Sequence, residues 1–138
     1  MDIRVFRESD RSALIALWQE TGLTRPWNNP DLDIDRKLAR DPDGLFVGEI
    51  NGEIVASYML GYDGHRGWIN YLAVSTGQQR MGLGRQLMAH AEQTLFAMGC
   101  PKLNLQVRAD NAAAKGFYKA LGYTIDSVES LGKRLIED

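Results

Sequence analysis

The sequence has a single cysteine, Cys100, among 138 residues. No intramolecular disulfide can form, so the fold depends on burial rather than on oxidative staples. No apolar run approaches the ~20 residues of a membrane span, and the opening Met-Asp-Ile-Arg-Val-Phe-Arg-Glu lacks the apolar stretch of a secretion signal. These two absences predict a cytoplasmic location and no membrane partner. An excess of positive charge is also missing: 16 Lys and Arg stand against 18 Asp and Glu, for a formal net charge of -2. Nucleic acid is therefore not an expected partner. Internal repeats, low-complexity tracts and linkers are absent too, which predicts one domain over residues 1–138.

What is there is ordinary globular material, 44% hydrophobic and 25% charged. A chain of this length buries roughly two-thirds of its unfolded surface, enough for a core without metal or disulfides. Residues 2–6 alternate as a short strand. Ser9 or Asp10 can cap a helix whose apolar stripe is Ala13, Leu14, Leu17 and Trp18, ending near Thr21-Gly22. Arg25-Pro26-Trp27-Asn28-Asn29-Pro30 reads as a loop, followed by a short helix over Leu32–Ala39. Residues 45–50 and 53–60 are β-rich runs joined by Asn51-Gly52, a strong hairpin signal because both turn residues must accept positive φ. Gly61–Gly67 is a polar loop, and 68–74 is a strand with apolar residues on both faces apart from Asn70. A helix follows from about Gly82 to Met98, then a strand over 103–107, a helix over 111–121, and two final strands at 123–128 and 131–136. The expected class is mixed α/β: a mostly antiparallel sheet of about six to seven strands with helices on both faces, in the order β-α-α-β-β-β-α-β-α-β-β.

Strand residues Leu72-Ala73-Val74 lead through Ser75-Thr76-Gly77-Gln78 into Gln79-Arg80-Met81-Gly82-Leu83-Gly84-Arg85, where a helix opens. Glycines there let backbone N–H groups converge without a Cβ in the way. Those N–H groups lack intrahelical partners, and the helix dipole adds about half a positive charge, so the segment suits phosphate or pyrophosphate. Arg80 and Arg85 add charge beside it. A P-loop fails because Leu83-Gly84 stand where Lys-Ser/Thr is required, and a dinucleotide fingerprint fails at Leu87. The remaining reading is a pyrophosphate held without metal, as in coenzyme A; a plain tight turn opening a helix is the simpler alternative.

Asn111 and Tyr118 are two helical turns apart and share a face with Lys115, while Phe117 points to the core with Ala113, Ala114 and Leu121. Asn111 also suits a helix N-cap, and Tyr118 a half-buried surface position. Their combination with the glycine segment points to thioester chemistry. An amine attacking a thioester needs an oxyanion donor and a proton for the departing sulfur. A thiol titrates at about 8.5 and a phenol at about 10, so a tyrosine can supply that proton. A backbone N–H near Leu72–Val74 can hold the oxyanion.

With these residues in view, the sequence resembles the GNAT superfamily of acyl-CoA N-acyltransferases over essentially its whole length. Gln79-x-x-Gly82-x-Gly84 matches that family's Gln/Arg-x-x-Gly-x-Gly/Ala signature in its strand–loop–helix context. The run Asn111-Ala-Ala-Ala-Lys-Gly-Phe-Tyr118-Lys-Ala-Leu-Gly122-Tyr123 matches the second signature. Arg25-Pro26-Trp27-Asn28, Gly61–Gly67 and Leu131-Gly132-Lys133-Arg134 are similar to YpeA-type bacterial members. The resemblance implies acetyl-CoA as acyl donor, an unidentified amine as acceptor and no metal. It implies that Leu72, Ala73 and Val74 align the pantetheine arm, that Gln79, Arg80, Met81, Gly82, Leu83, Gly84 and Arg85 hold the pyrophosphate, and that Asn111 and Tyr118 face the arm and the thiol. Tyr118 is the expected catalytic acid. A homodimer is an open alternative to a monomer.

The likeness breaks at one position. Residues 103–108 resemble a strand of ribosomal-protein N-terminal acetyltransferases, but Gln106 stands where those enzymes carry glutamate, and glutamine cannot take a proton near neutral pH. His65, Asp63, Tyr58 and Asp31 are candidate replacements, His65 having the most suitable intrinsic pKa. The missing carboxylate also leaves open a non-catalytic module that binds acyl-CoA. His90 is expected on the solvent side of its helix, Trp27 either in the acceptor cleft wall or under a loop, and Cys100 in a packing role.

Overall fold

The computed structural model describes residues 1–138. Its elements are β1 (Asp2–Val5), α1 (Arg11–Glu20), α2 (Pro30–Arg40), β2 (Leu45–Ile50), β3 (Glu53–Tyr62), β4 (Gly67–Val74), α3 (Leu83–Ala97), β5 (Leu103–Leu105) and α4 (Ala112–Ala120), with 3-10 turns at Glu8–Asp10 and Thr76–Gln78. One mixed five-stranded sheet runs in the order β1-β2-β3-β4-β5. The first three pairings are antiparallel and the last is parallel.

The β2–β3 turn follows the local code, with Asn51 at φ 51 and Gly52 at φ 80. Helix α2 starts earlier than the apolar pattern suggests, because Pro30 fills its first position and the Asn29 side chain accepts from the Leu32 N–H. Proline suits that site, where its missing N–H would have had no partner.

Alternation along the strands gives the sheet two covered faces. On one, Phe46, Tyr58, Leu60 and Ile69 pack with Leu83, Leu87, Met88, Ala91 and Leu95 of α3. On the other, Leu45, Val47 and Ala73 pack with Leu14, Leu17 and Trp18 of α1 and Ile34 of α2. Trp18 and Leu87 are fully enclosed. Truncating such a leucine to alanine costs roughly 2–5 kcal/mol, through lost transfer energy and the cavity left behind.

Two sequence expectations fail at the C-terminal end. The strands expected at 123–128 and 131–136 do not form, so the sheet has five strands rather than six or seven, and the order stops at α4. Ile125, Val128, Leu131 and Leu135 lie exposed, so their alternation finds no second face to bury against. β5 ends at Leu105 instead of Val107 and offers only a short edge. Side chains tether the segment instead: Asp126 accepts from Lys102 and Asn104, Gln106 donates to Ser130, and Asp138 accepts from Arg36.

Candidate active site

The site begins with an irregularity in β4. Ser57 pairs with Ala73 and Met59 with Asn70, so Tyr58 alone stands opposite both Tyr71 and Leu72. That is a β-bulge, and it turns the strand over. Ile69 packs with α3, whereas Ala73, four residues on, packs with α1. Tyr71 takes φ 52, a left-handed backbone that a bulky residue rarely adopts.

Three contacts hold this conformation. The Tyr71 ring stacks on Trp18 with centroids 3.9 Å apart. Ser57 Oγ donates to the Tyr71 carbonyl at 2.9 Å and accepts from Trp18 Nε1 at 2.9 Å. A buried hydroxyl thus satisfies an indole donor and a bulged carbonyl together.

Past the bulge the sheet forks. β5 pairs with β4 only at Gly67, Trp68 and Ile69, while β4 continues to Val74. Backbone groups of Leu72, Ala73 and Val74 on that side therefore lie beyond the last β5 pairing.

The fork leads into the glycine segment. Gln79 Nε2 donates to the Val74 carbonyl at 3.2 Å, tying the loop to the strand end. Arg80 at φ 70 and Gly82 at φ 75 both turn left-handed, and Gly82 caps α3. No backbone N–H from Gln79 through Arg85 donates to another backbone group. A Cβ at Gly82 would meet nothing within 4 Å, so its face opens outward. Arg80, Met81 and Arg85 are exposed around it. Unpaired N–H groups at a helix mouth suit an anion of phosphate type.

Helix α4 closes the other side. Asn111 Oδ1 accepts from the Ala114 N–H at 3.0 Å, so its carbonyl oxygen serves as the N-cap. Phe117 inserts toward α3, where a Cβ on Gly84 would come within 3.0 Å of the ring. Tyr118 lies half-buried between the rings of Phe117 and Tyr123, packed on the same cluster as Leu72 and Val74. Burial pushes its phenol up to about 12.

The expected bases fare differently. Tyr58 is wholly buried and bonded to His90 Nδ1 at 2.5 Å, which also corrects the expected exposure of His90: its ring packs edge-on against Phe46. Asp63 accepts from the His65 and Arg66 N–H groups and from Trp68 Nε1, a turn-forming role that holds its carboxyl below the usual range. Asp31 is paired with Arg11. His65 stays on the exposed β3–β4 loop. Trp27 is exposed, with the Arg108 guanidinium 5.9 Å from its ring centroid. Cys100 donates to the Lys102 carbonyl and is half-buried, as a packing role predicts. Sequence reasoning finds Asn70 and Tyr71 on the central strand in place of an acid but gives Tyr71 no role, and it missed the partner Asp33, whose Oδ2 accepts from the Tyr71 hydroxyl at 2.5 Å. The available signal was Asn70-Tyr71, which breaks an otherwise apolar strand.

The mixed sheet, forked beside a glycine-capped helix, is a mixed α/β fold, and residues 9–123 match the Acetyltransferase (GNAT) family. The chain belongs to that family. It is 52% identical to an acetyltransferase of Pectobacterium atrosepticum, over 100% of this chain and 98% of the relative. Among solved structures it superposes on the ribosomal-protein-S18-alanine N-acetyltransferase of Escherichia coli at a TM-score of 0.74 and 28% identity, covering 88% of this chain and 76% of that one. It also superposes on AAC(6')-Iy in complex with the bisubstrate analogue CoA-S-monomethyl-acetylneamine, at a TM-score of 0.76 and 19% identity, covering 96% and 97%. The protein is thus an acyltransferase of a family that uses acetyl-CoA. No helix is long and apolar enough to cross a membrane, and no group of His, Cys, Asp or Glu is placed to hold a metal.

Proposed function

We propose that the protein transfers an acetyl group from acetyl-CoA to a primary amine of a small molecule or a peptide, by direct attack in a ternary complex. The observation that carries this reading is the row of unpaired N–H groups at residues 79–85, opening beside the fork between β4 and β5. That row fits a pyrophosphate, and the open space at Gly82 leaves room for it. Gln79, Arg80, Met81, Gly82, Leu83, Gly84 and Arg85 hold it there. Leu72, Ala73 and Val74 present backbone groups along the pantetheine arm, with the Asn111 amide nitrogen on the α4 side.

When bound, acetyl-CoA supplies a thioester whose carbonyl carbon accepts the amine. A backbone N–H of the bulged β4 segment stabilises the oxyanion. Tyr118 donates its hydroxyl proton to the departing sulfur; its raised pKa keeps that proton in place at neutral pH. Calorimetry should show acetyl-CoA binding that ATP and NAD do not displace. Thiol release should follow with at least one amine from a broad panel. Binding without transfer to any amine would leave the non-catalytic alternative.

A further inference from the structure

We propose that Tyr71 and Asp33 form the proton exit for the acceptor amine, on the face of the sheet opposite Tyr118. This rests on the transferase reading above and deepens it, since no side chain there yet receives the amine proton.

The placement follows from the bulge. Tyr71 is two residues past Ile69, the last β4 residue paired to β5, so it stands where the two strands part. The bulge directs its ring to the α1–α2 side, while Leu72 and Val74 pack with the α3–α4 side. The fork is then flanked by two half-buried tyrosines, Tyr118 on one face and Tyr71 on the other. Only Tyr71 has a proton acceptor: its hydroxyl donates to Asp33 Oδ2 at 2.5 Å, and Arg36 lies 3.7 Å from Asp33 Oδ1. Tyr71 holds a left-handed backbone inside a strand, and such strain persists where the surroundings over-determine it, most often at functional sites. Here Trp18 and Ser57 supply the restraint. Burial and the Asp33 charge raise the Tyr71 phenol, so it relays a proton rather than storing a negative charge.

An ammonium acceptor gives one proton to Tyr71 Oη as the Tyr71 proton passes to Asp33, which releases it to water. The nitrogen lone pair then forms the C–N bond. As the C–S bond breaks, Tyr118 protonates the sulfur and is later reprotonated from water. The second nitrogen proton leaves through Tyr71 and Asp33. One proton is released to solvent for each ammonium acetylated.

Two probe amines separate this role from a purely structural one: ethylamine, an ammonium at neutral pH, and 2,2,2-trifluoroethylamine, a free base there. Tyr71→Phe and Asp33→Asn should each lower kcat/KM for ethylamine by about 100-fold or more, the usual worth of general-base help. Trifluoroethylamine should lose less than about tenfold, because it arrives already deprotonated and its remaining proton becomes strongly acidic once the C–N bond forms. Acetyl-CoA affinity should be unchanged, and Asp33→Glu should restore part of the ethylamine rate. Equal losses with both amines, or wild-type rates in both variants, would overturn the inference while leaving the transferase reading intact. No transfer by the wild type to either probe or to any panel amine would overturn both.

Discussion

Gly84 at the mouth of α3 and Phe117 in α4 are in mutual contact so close that a Cβ at residue 84 would lie 3.0 Å from the ring Cζ and 3.1 Å from Cε1. A methyl group there would press on the ring, so this position links helix packing to the open helix mouth. Gly84 joins the glycine turn to the helix that carries Tyr118. Gly84→Ala should destabilise the fold by about 1–3 kcal/mol through overpacking and weaken acetyl-CoA binding. Adding Phe117→Leu should recover part of both, as thermal unfolding and calorimetry would show. Gly82→Ala should behave differently: nothing lies within 4 Å of the new methyl, but φ is 75. Its cost should be about 1–2 kcal/mol of backbone strain, and Phe117→Leu should not relieve it.

Ser57 holds the bulge by bonding both Trp18 and the Tyr71 carbonyl. Ser57→Ala leaves a buried indole N–H without its partner, a loss of about 1–3 kcal/mol. Turnover should fall beyond what that stability change explains, because Tyr71 and Leu72 are no longer fixed. Urea unfolding and steady-state rates on the same variant would check this.

His90 is half-buried against Phe46, with Nδ1 at the Tyr58 hydroxyl and Thr94 donating to its carbonyl. Burial lowers its pKa below the ordinary imidazole value. The unfolded chain then binds a proton more readily than the folded one, so stability falls as pH drops below about 6.5. Urea midpoints should decline from pH 7.5 to 5 more steeply in the wild type than in His90→Gln.

How much of this was legible in the sequence depends on how far each feature reaches. The Asn51-Gly52 hairpin and the glycine segment are local, and both took the expected form. The bulge is not local: it needs Trp18, 39 residues before Ser57, and Ser57, 14 residues before Tyr71. Nothing in residues 68–74 alone specifies it beyond a break in pattern at Asn70-Tyr71. His90 misled for the same reason, since a helical wheel puts it on a polar side but Phe46 and Tyr58 cover it from the sheet. The two final strands failed because alternation needs a partner edge, and the three-residue β5 offers little. On the site itself, the glycine turn that opens α3 was legible from glycine spacing, whereas the Tyr71–Asp33 pair depends on α2 meeting β4 in space.

The alkaline limb of the rate should reflect Tyr118. An acid must be protonated to act, and burial pushes this phenol up to about 12. Transfer to an amine already neutral at the assay pH should therefore hold its rate through pH 9. A fall centred near pH 8 would assign the acid to another group.

The most direct test of the account compares thiol release by the wild type and by Tyr118→Phe, using saturating acetyl-CoA and an amine that the wild type acetylates. Acetyl-CoA affinity should be equal in the two proteins and turnover lower in the variant by about 100-fold or more, the usual worth of a positioned general acid. Equal affinity with unchanged turnover would contradict it.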